Sequence, residues 1–161
     1  MGVPKLLSGA TGVSIYDRLE AVTALALNVM NDGGIEVRNV DARMVKYFTD
    51  VLDKFTVDFK PMTIKTSIHP GFITDLQQPF TVLLTQATGI SLVHETIFEG
   101  RLFYTDKLKQ MGANIIMCDP HRVIVNGPSV LYGRHLESPD LRAGFALVMA
   151  GLIAQGETLI D

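Results

Sequence analysis

Cysteine is nearly missing from this chain of 161 residues. Cys118 stands alone, so no internal disulfide can form, and that fits a reducing compartment. Long apolar runs are missing too. The most apolar stretch, Phe145 to Ala154, falls far short of the ~20 residues a bilayer-spanning helix needs. The first residues, Met1-Gly-Val-Pro-Lys-Leu-Leu7, lack the apolar core of a secretory signal. A soluble, cytoplasmic protein is the expectation. Excess charge is also absent: the formal net charge is −3, and no cluster of Lys and Arg forms a stripe. Nucleic-acid affinity comes mainly from neutralised phosphates, so such a partner is not expected. His69, His94, His121 and His135 have no metal-ligand spacing, which argues against zinc. Gly9-Ala-Thr-Gly12 is followed by neither a Walker Lys-Ser/Thr nor a Rossmann pattern and reads as a turn, so no cofactor is expected.

What remains is ordinary globular material, 47% hydrophobic and 19% charged, enough for one core. It is organised as a repeat. Three segments open with Asp, run through an apolar or amphipathic stretch and stop at Gly before an extended piece. They are Asp17 to Gly33 then Ile35-Glu-Val-Arg38, Asp75 to Gly89 then Ile90 to His94, and Asp140 to Gly156 then Thr158 to Asp161. Asp caps a helix because its carboxylate accepts from an orphan N–H of the first turn. Glu20 and Gln78 sit where a capping box places them. A second helix follows in the first two segments, Asp41 to Lys54 and Tyr104 to Met111. Strands are expected at 55–59, 62–66, 114–117, 123–125 and 133–136. Cys118, just after the expected strand at 114–117, reads as packing material, without the positive neighbours that activate a thiol. Helices alternating with strands predict an α/β fold in a single domain over 1–161, with repeats at about 17–74, 75–139 and 140–161. The third repeat breaks off, so the expectation is a piece of something longer, or a chain that self-associates through the unfinished repeat.

Three places have residues that could do chemistry. Asp75, after the irregular His69-Pro-Gly-Phe-Ile-Thr approach, is either a plain N-cap or a carboxylate that takes a proton from a hydroxyl. Arg101, at the end of His94-Glu-Thr-Ile-Phe-Glu-Gly-Arg101, is either a solvated charge or a ligand for an acidic group. Arg142 lies in the first turn of the helix after Asp140, where a cation opposes the helix dipole, so something anionic is expected beside it.

Taken in order, Tyr16 to Glu20, His69 to Gln77, Glu95 to Arg101, Met111 to Asn114, Asp140 to Ala143 and Gly156-Glu-Thr158 resemble the enolpyruvyl transferase family, in its peptidoglycan branch more than its shikimate-pathway branch. The resemblance implies an inside-out α/β barrel lobe of βαβαββ units, with about two and a half units present, most of a C-terminal lobe. It implies part of an enzyme that moves the enolpyruvyl group of phosphoenolpyruvate to the 3′-hydroxyl of UDP-N-acetylglucosamine in cell-wall synthesis. Asp75 matches the family's proton acceptor, and Ile97 a position touching the UDP-sugar. Arg101, Asp140 and Arg142 match residues on the phosphoenolpyruvate side, and Asp17 an aspartate at the lobe junction. The family's Lys-Asn pair and its loop with the reactive Cys have no counterpart, and Cys118 is not that residue, so the chain alone is expected to be inactive. Ile73 stands where the family commonly has Pro, and Gly100 where it more usually has Asn. Pro79 is unusual, and the connection at 59–62 is short. Two other readings stay open: a related transferase acting on shikimate 3-phosphate, and a non-catalytic interaction module of the same fold.

Overall fold

The computed structural model describes residues 12–161 apart from Ile15, Asp32, Val57 and Asp58. The turn expected at 9–12 therefore lies almost wholly outside the described residues. Helix α1, Arg18–Met30, begins as the sequence predicts, with the Asp17 carboxylate accepting from the Leu19 N–H at 2.7 Å. Helix α2, Ala42–Thr56, is started in the same way by Asp41, which accepts from the Arg43 N–H at 2.9 Å. Val45, Phe48, Leu52 and Phe55 recur at helical spacing and are all buried, so the helix runs on through Phe55, where a strand was expected. The anticipated strand over Ile35 to Arg38 does not form either. Those residues are largely exposed, and the Ile35 N–H turns back to Asn28 Oδ1 at 2.9 Å. A strand needs a neighbour to complete its ladder, and none among the described residues lies beside this segment.

Strands begin at β1, Thr63–Lys65. A 3₁₀ turn over Thr74–Leu76 leads into α3, Gln77–Leu84, and β2 follows at Gly89–His94. Then come α4 (Thr105–Gln110), β3 (Ile115–Asp119), β4 (Arg122–Gly127), β5 (His135–Leu136), α5 (Leu141–Ile153) and β6 (Leu159–Ile160). One sheet has the order β1-β2-β4-β3, parallel between β1 and β2 and antiparallel elsewhere. A second, smaller pair joins β5 to β6 in parallel. Residues 63–127 are thus one complete βαβαββ run, and β5-α5-β6 repeats its opening strand, helix and parallel strand. Between α4 and β5 lies the β3–β4 hairpin, whereas α2 and β1 are separated only by residues 57–62. The first helix pair has no hairpin of its own, which is why the connection reads as short.

The sheet turns Ile64, Val93, Ile115, Val123 and Val125 toward the helices, while Ile90 and Ile116 face outward. Cys118 lies within β3 on that outer face and is exposed, a correction to its reading as packing material. Helices α1, α3 and α5 pack against one another in the centre. Every residue of α3 is buried. Pro79 causes no loss there, because it sits in the first turn of α3, where its missing N–H would have no partner within the helix. Ile73 has φ −67°, the angle a proline ring imposes, so the chain follows the same path without it.

Candidate active site

Asp17 and Asp140 cap α1 and α5, and the 3₁₀ turn bearing Asp75 packs against α1. Asp140 accepts from the N–H groups of Arg142 at 2.8 Å and Ala143 at 2.9 Å. Arg142 in turn reaches Asp17, with Nη2 4.0 Å from Oδ2, so the two helix starts are tied by a loose ion pair. The anion expected beside Arg142 is therefore Asp17. Near Asp75, Ile73 and Leu76 line a cavity of about 280 Å³ together with His69 of the loop after β1 and with Arg18, Val22 and Tyr47 of α1 and α2. The starts of all three central helices meet at one end of the molecule.

Asp75 is not an N-cap. The turn begins one residue earlier, with Ile73 in the cap position and no side-chain bond there. Freed from capping, the Asp75 carboxylate pairs through Oδ1 with Arg101 Nη2. Both side chains are partly buried, which shields the pair from solvent screening. Arg101 is held on two further sides. Its guanidinium lies 5.1 Å from the centre of the Phe98 ring. Its Nε donates to Gln78 at 3.1 Å in the amide orientation that also lets Gln78 donate to Thr74 O. Gln78 is thus no capping-box partner but a brace for Arg101. Ile97 and Phe98 are exposed beside it on the loop after β2. Gly100 has φ +74°, and a Cβ there would meet the Phe103 ring at 3.0 Å, so the tight turn that delivers Arg101 favours glycine.

Beneath this surface is a buried polar layer. The Glu95 carboxylate is wholly inaccessible, and Tyr104 donates to Gln77 Oε1 at 3.1 Å. Burial raises the Tyr104 hydroxyl well above its ordinary value, and the nearby Glu95 and Asp140 charges add to this. In the sequence Glu95 and Gln77 stand out only as parts of longer motifs. Their signal was polarity inside otherwise apolar segments, at the end of β2 and in α3. Of the sequence candidates, Asp75, Ile97 and Arg101 come together. Asp140, Arg142 and Asp17 form the adjoining group. His69 lines the cavity, and His121 Nδ1 meets the Glu95 carbonyl at 2.9 Å. Among the described residues no group of His, Cys, Asp and Glu is placed to hold a metal ion.

A carboxylate beside a guanidinium, at the convergence of helix starts, suits proton transfer next to a bound anion. Known proteins resemble the chain in sequence. The model of the family described as EPSP synthase (3-phosphoshikimate 1-carboxyvinyltransferase) matches residues 2–161. The chain belongs to that family. Similar proteins include several named UDP-N-acetylglucosamine 1-carboxyvinyltransferase. The one from Treponema pallidum is 53% identical over 177 residues, covering 96% of this chain and 42% of that protein. A second form from Geobacillus kaustophilus is 40% identical over 174 residues, covering 99% of this chain and 40% of that protein. The chain therefore spans about two fifths of their length. The crystal structure of the enolpyruvyl transferase NikO from Streptomyces tendae matches with TM-score 0.74 at 21% identity, over 91% of this chain and 39% of that one. The α/β fold of the enolpyruvyl transferase kind, expected from sequence, is the fold observed. No helix among the described residues is long and apolar enough to cross a membrane.

Proposed function

We propose that this chain is part of a transferase that moves the enolpyruvyl group of phosphoenolpyruvate to the 3′-hydroxyl of UDP-N-acetylglucosamine, in cell-wall synthesis. The observation that carries the reading is the Asp75–Arg101 pair, braced by Gln78 and Phe98 at the meeting point of three helix starts. In this reading Asp75 accepts the proton of the sugar hydroxyl as that oxygen attacks. Ile97 packs on the UDP-sugar. Arg101 and Arg142 attract the carboxylate and phosphate of phosphoenolpyruvate, since guanidinium forks match both groups. Asp140 holds the start of α5, and Asp17 fixes Arg142 at the lobe junction. The chain is read as one domain, most of a C-terminal lobe, working in the cytoplasm and needing the other lobe to enclose the substrates and exclude water.

A full-length chimera tests this, with the chain replacing its matching segment in the Geobacillus kaustophilus protein. Phosphate release should require both phosphoenolpyruvate and UDP-N-acetylglucosamine, and Asp75→Ala should abolish it. Release that survives Asp75→Ala undiminished would sink the role of Asp75, and release with shikimate 3-phosphate instead would reassign the acceptor. The isolated chain should be inactive. It should also self-associate, because α5 exposes Leu141, Phe145, Val148 and Leu152 along one side. Sedimentation as a clean monomer overturns that last point.

A further inference from the structure

At the end of β2 the chain turns Glu95 inward, and no part of that residue reaches solvent. No described ion pair involves it. Four hydrogen-bond donors meet it instead. The Thr66 hydroxyl donates to Oε1 at 3.0 Å and the Thr74 hydroxyl to Oε2 at 2.6 Å. The N–H groups of Ile97 and Phe98 donate to Oε1 at 2.8 and 3.2 Å. These donors belong to three separate segments. Thr66 follows β1, Thr74 opens the turn that bears Asp75, and Ile97 and Phe98 lie on the loop that ends at Arg101. The Phe98 ring is the one beneath the Arg101 guanidinium.

The surrounding backbone is tied to the same point. Thr96 N–H donates to Thr66 Oγ1 at 2.8 Å, and Thr96 Oγ1 donates to Thr66 O at 2.7 Å. The Glu95 N–H donates to His121 O at 2.7 Å. A buried carboxylate is costly unless hydrogen bonds satisfy it, and bonds to an ionised acceptor are roughly twice as strong as neutral ones. An apolar residue would fill the space without that cost but would leave four donors unmet. Glutamine has nearly the same shape, but its NH₂ cannot face the Ile97 and Phe98 amides. It would take the Oε2 side, where the Thr74 hydroxyl must turn from donor to acceptor and every bond loses the carboxylate's charge. The arrangement calls for a charged acceptor, and what it connects is the Asp75 turn and the Arg101 loop.

We propose that Glu95 is a positioning residue, whose carboxylate sets the Asp75 turn against the Ile97–Arg101 loop. The proposal rests on the reading of Asp75 and Arg101 given above. Glu95 itself touches no substrate, and it acts through Thr74 on one side and through the Ile97 and Phe98 amides on the other.

The full-length chimera carries the first arm of the test. Thr74→Val keeps shape and removes the hydroxyl that ties Asp75 to Glu95. It should lower kcat by about 10²-fold, the cost of misplacing a reacting group by about 1 Å, with much less change in KM. Thr74→Ser keeps the hydroxyl and should restore kcat. Glu95→Gln should lower kcat comparably, and Glu95→Gln with Thr74→Val should lose little more than either alone, because both break one tie. The second arm uses the 161-residue chain and needs no activity. In Glu95→Gln, hydrogen exchange of the Ile97 and Phe98 amides should accelerate while that of Val123 and Val125 does not. Additive losses in kcat, a Thr74→Val enzyme as fast as the unsubstituted chimera, or unchanged exchange at Ile97 and Phe98 each overturn the proposal. If Glu95→Gln fails to fold, the Thr74 pair of variants still decides. If Asp75→Ala leaves the chimera active, the functional reading fails, and the exchange arm still judges the tie itself.

Discussion

Phe80 ties α2 to α3, and truncating it should show this in a predictable amount. Its ring is fully buried on α3. It meets Phe48 at 5.7 Å, Phe55 at 5.6 Å and Phe72 at 5.7 Å between centroids, each edge to face. Phe48 and Phe55 belong to α2, so these rings are a main attachment of α2 to α3. A buried Phe→Ala change costs about 3–5 kcal/mol through lost transfer energy and the cavity left behind. Edge-to-face pairs add about 0.5–1.5 kcal/mol each beyond area, which places Phe80→Ala near the upper end, about 5 kcal/mol. At this chain length that corresponds to a fall in Tm of roughly 10–20 °C. Such a loss approaches the whole stability of a typical domain, so Phe80→Leu, at about 1.5 kcal/mol, serves as the readable companion. Urea unfolding followed by far-ultraviolet circular dichroism gives both values. Adding Phe48→Ala completes a cycle in which the two losses should overlap by about 1–3 kcal/mol, since they share one contact. A Phe80→Ala cost below about 2 kcal/mol, or strict additivity with Phe48→Ala, would refute the idea that this cluster anchors α2.

Gly133 approaches the next segment so closely that an added Cβ would lie 2.1 Å from Glu157 O. Gly133→Ala should therefore part β5 from β6 and cost about 1–3 kcal/mol by thermal unfolding. Tyr104 should remain protonated through pH ~10, where free tyrosine ionises, because burial raises its hydroxyl. Its contribution to stability is then complete below the unfolded value and declines as pH rises beyond it, and Tyr104→Phe should leave the phenolate absorbance near that pH unchanged. Arg101→Lys keeps the charge but loses the fork shared by Asp75 and Gln78. In the chimera it should raise KM for phosphoenolpyruvate by about 10-fold or more, the scale of one hydrogen bond to a charged group.

Much of this was readable from local sequence, and what was not depended on distant partners. Asp17 and Asp140 cap helices as read, because capping needs only the carboxylate and amides two or three residues on. Asp75 has the same local signature, yet Arg101, twenty-six residues later, takes its carboxylate instead. The apolar spacing of Phe48, Leu52 and Phe55 fixed a helix, and reading a strand from Phe55 onward ignored the next step of that same stripe. Ile35 to Arg38 has strand composition but lacks a neighbour among the described residues, which no local pattern reveals. Glu95 was legible only as part of a motif, since its hydroxyl donors lie 29 and 21 residues away.

The parallel pairing of β1 with β2, and of β5 with β6, bears on how the molecule can be dissected. Helices α3 and α5 are each bracketed by two strands that hydrogen-bond to each other, and the earlier strand precedes the Asp that begins the helical segment. A cut immediately before Asp75 or Asp140 would part a strand from the mate it pairs with. A cut within residues 128–134, after β4, separates no such pair but still crosses the Tyr132–Gln155 bridge if it falls beyond Tyr132. Shuffling or duplicating pieces of this fold should therefore succeed at junctions ahead of β1 and β5, where the inherited module is a closed crossover carrying its own partner strand.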